Sequence, residues 1–384
     1  MTLTRRTLAF GGLLAVAAAT AISPAHAQGN YPQRPIKFIV PFPAGGGTDN
    51  LTRLVSTKLT ETYGWAIVVE NKPGAGGNLA LDQTAKAPAD GLTLVMAQTD
   101  NVVLNPLLYS KLTYNPDKDL RAVALVASGP AVLVVNADSP YKTLDDIIQA
   151  AKKDPGRLSF ATPGTGTISH IISEAWQKSS NVKFTHVPFR GMAQAMPDLL
   201  GGRITSYFAA PPTALPHVEA GTLIPLATTG LTRPAYMPNI PTVAESGFPG
   251  FEALNWYAFV APGKTPAPLL DRWNKEIVKV LNDPGVKDAL TKHGLTPQPT
   301  TRAELTADSQ RLETLLAPLG EVGRCALFCT LKSAHTTQPA ALFEHLARHA
   351  ILTRRFDEHG LLRFGLPGSD GAWQRLAAAL DGYR

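Results

Sequence analysis

Apolar residues in this chain gather into short runs, each closed by glycine, proline or asparagine. Ile36 to Pro41 (IKFIVP), Ala66 to Glu70, Leu92 to Ala97, Ala131 to Val135 and Leu158 to Ala161 read as strands, being short and bounded by turn residues. Between them apolar positions recur at helical spacing, over Asn50 to Tyr63, Asn78 to about Ala87 and Ile168 to about Lys178. Strand, loop and helix in alternation predict an α/β fold on a parallel sheet.

The first stretch breaks this pattern. Residues 1–27 carry Arg5 and Arg6, then a nearly unbroken apolar run from Leu8 to Ile22, then Ala25-His26-Ala27. A charged start, an apolar middle and an A-x-A cleavage site predict a secretory signal, which is set apart from the fold. The adjacent arginines in Thr4-Arg5-Arg6-Thr7-Leu8 are similar to a twin-arginine signal, although a general secretory signal also carries such pairs. No later apolar run reaches the roughly 20 residues that span a bilayer.

Three strands end in glycine-rich loops that open helices: Phe42-Pro43-Ala44-Gly45-Gly46-Gly47-Thr48-Asp49, Asn71-Lys72-Pro73-Gly74-Ala75-Gly76-Gly77-Asn78 and Thr162-Pro163-Gly164-Thr165-Gly166-Thr167. Glycine lets the backbone approach a ligand closely. The first turn of a helix presents unpaired N–H groups and a partial positive charge. The repeated device predicts an anion site that needs no lysine or arginine. Asp49 has two readings: it caps its own helix, or it accepts a hydrogen bond from an ammonium or hydroxyl of a ligand whose carboxylate rests on the loop amides.

Composition narrows the class. The 384 residues are 17% charged, against the roughly 25% usual for soluble domains, and include 32 Gly and 32 Pro, which excludes coiled-coil and collagen-like chains. The net charge of +6 comes from scattered residues without a dense basic run, so no nucleic-acid partner is expected. A positive field also suits a small anion. The only cysteines are Cys325 and Cys329, leaving a cysteine-free body that fits an oxidising compartment.

Catalytic patterns are missing. No G-x-G-x-x-G or G-x-S-x-G occurs, and Gly263-Lys264-Thr265 lacks the glycine of a phosphate loop five positions earlier. His170 and His186 have no metal-ligand partner at helical or hairpin spacing. No cofactor and no metal are expected.

The loops, with Tyr31-Pro32, Arg34-Pro35-Ile36, His186-Val187-Pro188-Phe189-Arg190-Gly191, Pro241-Thr242-Val243-Ala244-Glu245-Ser246-Gly247, Trp256 and Ala261-Pro262-Gly263-Lys264-Thr265-Pro266, resemble the tripartite tricarboxylate transporter solute receptors, the Bug family, over residues 31–306. The resemblance implies a two-domain periplasmic-binding-protein (Venus flytrap) architecture. Binding domain 1 would span 28–130 and 245–307, and binding domain 2 would span 131–244. It further implies a monomeric, non-enzymatic receptor that holds a small carboxylate in the cleft and delivers it to a membrane permease. Carried over by position, Phe42, Ala44, Gly47, Thr48, Asp49 and Asn78 would form one wall. Thr162, Gly164, Thr165, Gly166, Thr167 and His170 would face them, with Arg190 as a further contact. Family members often carry Asp where this chain has Ser206.

After about Ala307 the chain departs. Residues 308–384 hold both cysteines and four of the nine histidines. Helical spacing covers Ala341 to His349 and Trp373 to Leu380, and this tail is similar to the small domain of threonine-phosphate decarboxylases, fold-type I pyridoxal-phosphate enzymes. In that family the arginine matching Arg363 grips the substrate carboxylate. The cofactor-bearing large domain is absent, so the tail is expected to be a non-catalytic, small α+β fragment in a chimeric chain. The alternative is a pyridoxal-phosphate enzyme fragment. Cys325 and Cys329 are expected on one face of a single strand, with Cα atoms about 13 Å apart. His345 and His349, at i and i+4, form a metal pair only if a third ligand is found.

Overall fold

The computed structural model describes residues 31–325, 328–333, 338–348, 354–356, 361–365 and 370–383. The signal segment 1–27 and His349 lie outside the described residues. The chain opens with β1 (Ile36–Val40), β2 (Ile67–Asn71), β3 (Thr93–Gln98) and β4 (Leu120–Pro130). It continues through β5 (Val132–Asn136), β6 (Ser159–Thr162), β7 (Thr185–Pro188), β8 (Ser206–Ala209) and β9 (Leu223–Thr228), then returns with β10 (Leu254–Pro262) and β11 (Thr296–Pro297). These make two sheets, ordered β11-β4-β10-β3-β1-β2 and β7-β6-β8-β5-β9.

Both sheets are mixed, which corrects the expectation of a parallel sheet. β1 runs parallel to β2 and β3, and β6 runs parallel to β7 and β8. β10 is antiparallel to β3 and β4, and β5 is antiparallel to β8 and β9. The parallel pairs are those whose loops open helices. The antiparallel strands adjoin the two crossings between sheets, where the chain reverses direction. Helices cover both faces, so β5 is buried along its whole length.

Aromatic packing anchors each half. Phe38 meets Phe259 and Trp273 at ring-centroid distances of 4.6 and 5.7 Å, and Trp176 meets Phe184 and Phe208 at 5.3 and 5.7 Å. At the crossings, Thr229 Oγ1 accepts from the Ala131 N–H at 2.8 Å and donates to the Ala253 carbonyl at 2.5 Å, tying both connecting segments together.

The tail folds around its own core. β12 (Gly320–Cys325), β13 (Phe328–Ser333), β14 (Arg354–Phe356) and β15 (Leu361–Gly365) form an antiparallel sheet ordered β12-β13-β15-β14. Helices Gln338–Arg348 and Asp370–Asp381 accompany it, with Leu331, Leu346, Leu362, Phe364, Trp373 and Leu376 buried. Chain continuity differs from the expected break near residue 307: one helix, Arg302–Leu316, runs across it behind a Thr301/Glu304 capping box. Its Leu305 packs into the first half, while Leu312 and Leu316 belong to the tail core. Arg375 reaches back to Glu252 at 2.6 Å.

The cysteine expectation is also corrected. Cys325 ends β12 and Cys329 lies in β13, with Cys325 opposite Phe328 and Arg324 opposite Cys329. They sit on adjacent strands of a hairpin, not along one strand. Cys329 is a buried thiol in the tail core. His345 Nε2 lies 2.7 Å from the Ala379 carbonyl, which gives it a structural partner.

Candidate functional site

Each glycine loop leads into a helix: Gly47–Tyr63, Asn78–Ala85 and Ile168–Ser180. At all three starts the residue before the helix makes no side-chain cap, although the Asp100 carboxylate accepts from the Ile168 amide at the third. Side chains cap other helices at Asn115, Thr143, Asp283 and Thr301, while the helices Met192–Leu200, Pro211–Glu219 and Ala267–Leu281 also start without a side-chain cap. Uncapped amides beside close backbone are the donors an anion site needs.

Structure assigns the sequence candidates different surroundings. Asp49 does not cap its own helix: its carboxylate accepts from Gly45 N at 2.9 Å, Asn71 Nδ2 at 2.9 Å and Arg53 Nε at 3.0 Å. Burial alone would raise its pKa, but these hydrogen bonds more than reverse that and hold it below the ordinary value. Asp49 therefore braces the first loop against the second, aided by Asn71 Nδ2 donating to the Phe42 carbonyl at 3.0 Å. Phe42 is half-buried, Gly47 and Thr48 are buried, and Ala44 is exposed.

In the third loop, the Gly164 carbonyl accepts from Thr162 Oγ1 at 3.1 Å and from Thr167 Oγ1 at 2.7 Å. Gly166 N donates to His170 Nδ1 at 3.1 Å, and the His170 ring stacks on His186 at 4.1 Å between centroids. His170 thus supports the loop from behind. Burial, with neighbouring His170 adding to it, lowers the His186 pKa to about 4. Thr165 and Arg190 are exposed. Ser206 is a buried β8 residue whose Oγ lies 3.4 Å from the Ser159 carbonyl.

The segment after β3 is the part that sequence reasoning missed. Thr48 Oγ1 donates to Gln98 Oε1 at 3.0 Å, and Gln98 Nε2 donates to Asp100 Oδ2 at 3.0 Å. Asn101 Nδ2 and Asn105 Nδ2 donate to the Gly76 carbonyl at 2.6 and 2.8 Å. Asn105 Nδ2 and Tyr114 OH both donate to Asn78 Oδ1, at 2.8 and 2.9 Å. Gly77 has φ of 93° and lies so close to Asn101 and Pro41 that a side chain there would collide with both, which holds the second loop down on this network. The available signal was the run of amide and acid residues, Gln98, Asp100, Asn101 and Asn105, around the apolar Val102-Val103-Leu104.

This network is buried yet incompletely paired. Asn78 Nδ2, Asp100 Oδ1 and Asn105 Oδ1 have no hydrogen-bond partner. Burial pushes the Asp100 carboxyl up to about 6, partly offset by its own amide, the Gln98 side chain and the Ile168 amide. Ile168 begins the helix of the second half, so Asp100 faces across the cleft.

The halves meet around these groups. Pro43 lies against Gly191, Leu108 against Gly166, and Gly47 beside Ala210, Pro212 and Thr213. Ile168 and Ile171 pack against the core of the first half. Among the described residues, no cluster of His, Cys, Asp or Glu is placed to hold a metal, and no helix is long and apolar enough to cross a membrane.

The arrangement has known counterparts. The family model described as tripartite tricarboxylate transporter family receptor matches residues 51–314. Protein BugT of Bordetella pertussis is 35% identical over 298 residues, covering 77% of this chain and 90% of BugT. Rpa4515 of R. palustris, solved with adipate, superposes with a TM-score of 0.70 at 31% identity, covering 72% of this chain and 93% of Rpa4515. MatC of Rhodopseudomonas palustris, solved with malate, gives a TM-score of 0.66 at 31% identity, covering 69% and 90%. The tail is separately similar to threonine-phosphate decarboxylase of Pseudomonas aeruginosa, 48% identical over 82 residues, which are 21% of this chain and 24% of that enzyme. With the family model spanning more than half of the chain and the relatives matched over most of their own length, the chain belongs to the tripartite tricarboxylate transporter receptor family.

Proposed function

We propose that this receptor captures a small carboxylate between its two halves, in the periplasm, and presents it to the membrane permease of a tripartite transporter. The observation that carries the reading is the unpaired Asn78 Nδ2 donor, buried at the uncapped N-terminus of the helix that the second glycine loop opens. A carboxylate supplies the acceptor that Asn78 lacks, and helix amides bind an anion without a buried countercharge, whose desolvation costs several kcal/mol. Similar receptors are solved with adipate and malate. Export would use the 1–27 segment, and the receptor would act as a monomer.

The tail is a non-catalytic appendage in this reading, derived from a decarboxylase small domain. Its similarity to threonine-phosphate decarboxylase favours one other reading, a pyridoxal-phosphate enzyme fragment. Incubation with pyridoxal phosphate separates the two, and we expect no Schiff-base absorbance. Titration calorimetry with a panel of mono- and dicarboxylates tests the main reading. Micromolar or tighter binding, roughly −8 kcal/mol or better, is expected. Tight binding of an uncharged solute with no heat from any acid would refute it.

A further inference from the structure

Asp100 opens the helical turn Asp100–Leu104 and is fully shielded from solvent. Gln98 Nε2 donates to one carboxylate oxygen at 3.0 Å, while Oδ1 has no partner. Its partners come from both halves, Gln98 from the first and the amide of Ile168 from the second. Amides, not cations, act to keep it charged. One turn along, Asn105, whose backbone N–H donates to the Asp100 carbonyl, offers a second unpartnered buried acceptor, Oδ1.

Leaving a buried acceptor unmet is costly, and more so for a charged one. Two such acceptors on one turn of helix, beside an anion site, mark a place where the missing donor comes from the solute. We infer that Asp100 is a specificity-determining residue: its Oδ1, with Asn105 Oδ1, receives a hydrogen-bond donor at the far end of the bound acid. The receptor then prefers an acid with a terminal hydroxyl or ammonium over a di-acid. This deepens the carboxylate reading and rests on it. A second carboxylate at this end would face Asp100 in a low-dielectric setting, where one of the two must take up a proton or be rejected. Asn105 Nδ2 donates to Asn78 Oδ1 at 2.8 Å, so the unpaired Asn78 donor and Asn105 acceptor stand within roughly 7 Å, which suits a short solute.

Titration calorimetry on the intact protein at neutral pH tests this. The panel contains ω-hydroxy acids, ω-amino acids and di-acids of matched chain length, from malonate to adipate. The donor-bearing acid is expected to bind about tenfold or more tighter than its di-acid, and Asp100→Asn is expected to shrink that ratio to about threefold or less. The comparison of hydroxyl with ammonium identifies the donor. Thermal melts confirm that the variant folds, with Asp100→Ser as the second variant. A di-acid preference in the unaltered protein overturns the inference while leaving the carboxylate reading in place. An unchanged ranking in the variants does the same. Absence of heat with every acid overturns both.

Discussion

Pro43 rests on the bare face of Gly191, across the boundary between the two halves. A Cβ on Gly191 would stand 2.5 Å from Pro43 Cδ, and the Gly191 φ of 111° is one that side chains rarely adopt. The glycines of these loops therefore do more than admit a ligand: Gly191 and Gly166 also let the halves close. Gly191→Ala is expected to hold the cleft ajar and weaken carboxylate binding by about tenfold or more. Gly202→Ala is the control, because Gly202 also has positive φ, 71°, but faces open space. It carries the milder strain of a left-handed residue, about 1–2 kcal/mol, and is expected to leave affinity unchanged. Calorimetry on both variants decides, and equal losses would show that strain alone matters.

Asp49 is expected to set acid stability. Its folded pKa is depressed, so the stability it contributes is present above the ordinary carboxylate range and is lost as pH falls through the folded value. Asp49→Ala removes the acceptor for Gly45, Asn71 and Arg53 and should cost about 2–3 kcal/mol at neutral pH. Urea unfolding at neutral and acid pH measures this. The gap between variant and parent should narrow in acid.

Asp100 has the opposite sign. Its folded pKa is raised to about 6, so its favourable contribution is complete below the ordinary value and is lost as pH rises through about 6. Tyr109, Tyr207 and Tyr257, which feel its charge, stay neutral over this range, since their own values are raised. In ligand-free protein, Asp100→Asn should raise stability near pH 7.5 by on the order of 1–3 kcal/mol and flatten the pH dependence between about 4 and 6. Melting curves across that window would show a parallel offset instead if Asp100 does not titrate there.

The tail should be removable only with care. Cutting after residue 307 severs the helix Arg302–Leu316, whereas cutting after Leu319 keeps it but bares Leu312 and Leu316. The longer product should bind carboxylate within about tenfold of the full chain, because none of the site groups lies in the tail. Leu312→Gln with Leu316→Gln should restore its solubility, read by light scattering. Within the full chain, Leu331→Ala should cost the tail about 2–5 kcal/mol through the cavity it leaves. Two separate thermal transitions are expected, with the receptor transition unchanged.

The strands and helices that carry the glycine loops were legible in the sequence, because periodicity and turn residues are local properties. Ile36–Val40, Gly47–Tyr63 and Ile168–Ser180 stand within a few residues of where spacing puts them. The tail elements were legible too, but the single helix that joins tail to receptor was not. Its apolar positions Leu305, Leu312 and Leu316 serve two cores, and spacing cannot say which core a position faces.

Sequence alone also picked out the three glycine loops that open helices, since glycine and a helix start are both written in residue order. Only tertiary structure decided which polar side chains are satisfied. Gly45, Asn71 and Arg53 close around Asp49, while Asp100, which the sequence did not single out, is buried with one oxygen unmet. The physical reason is that hydrogen-bond satisfaction depends on neighbours brought together from distant positions: Thr48 reaches Gln98 across the chain, and the Ile168 amide reaches Asp100 only when the two halves meet.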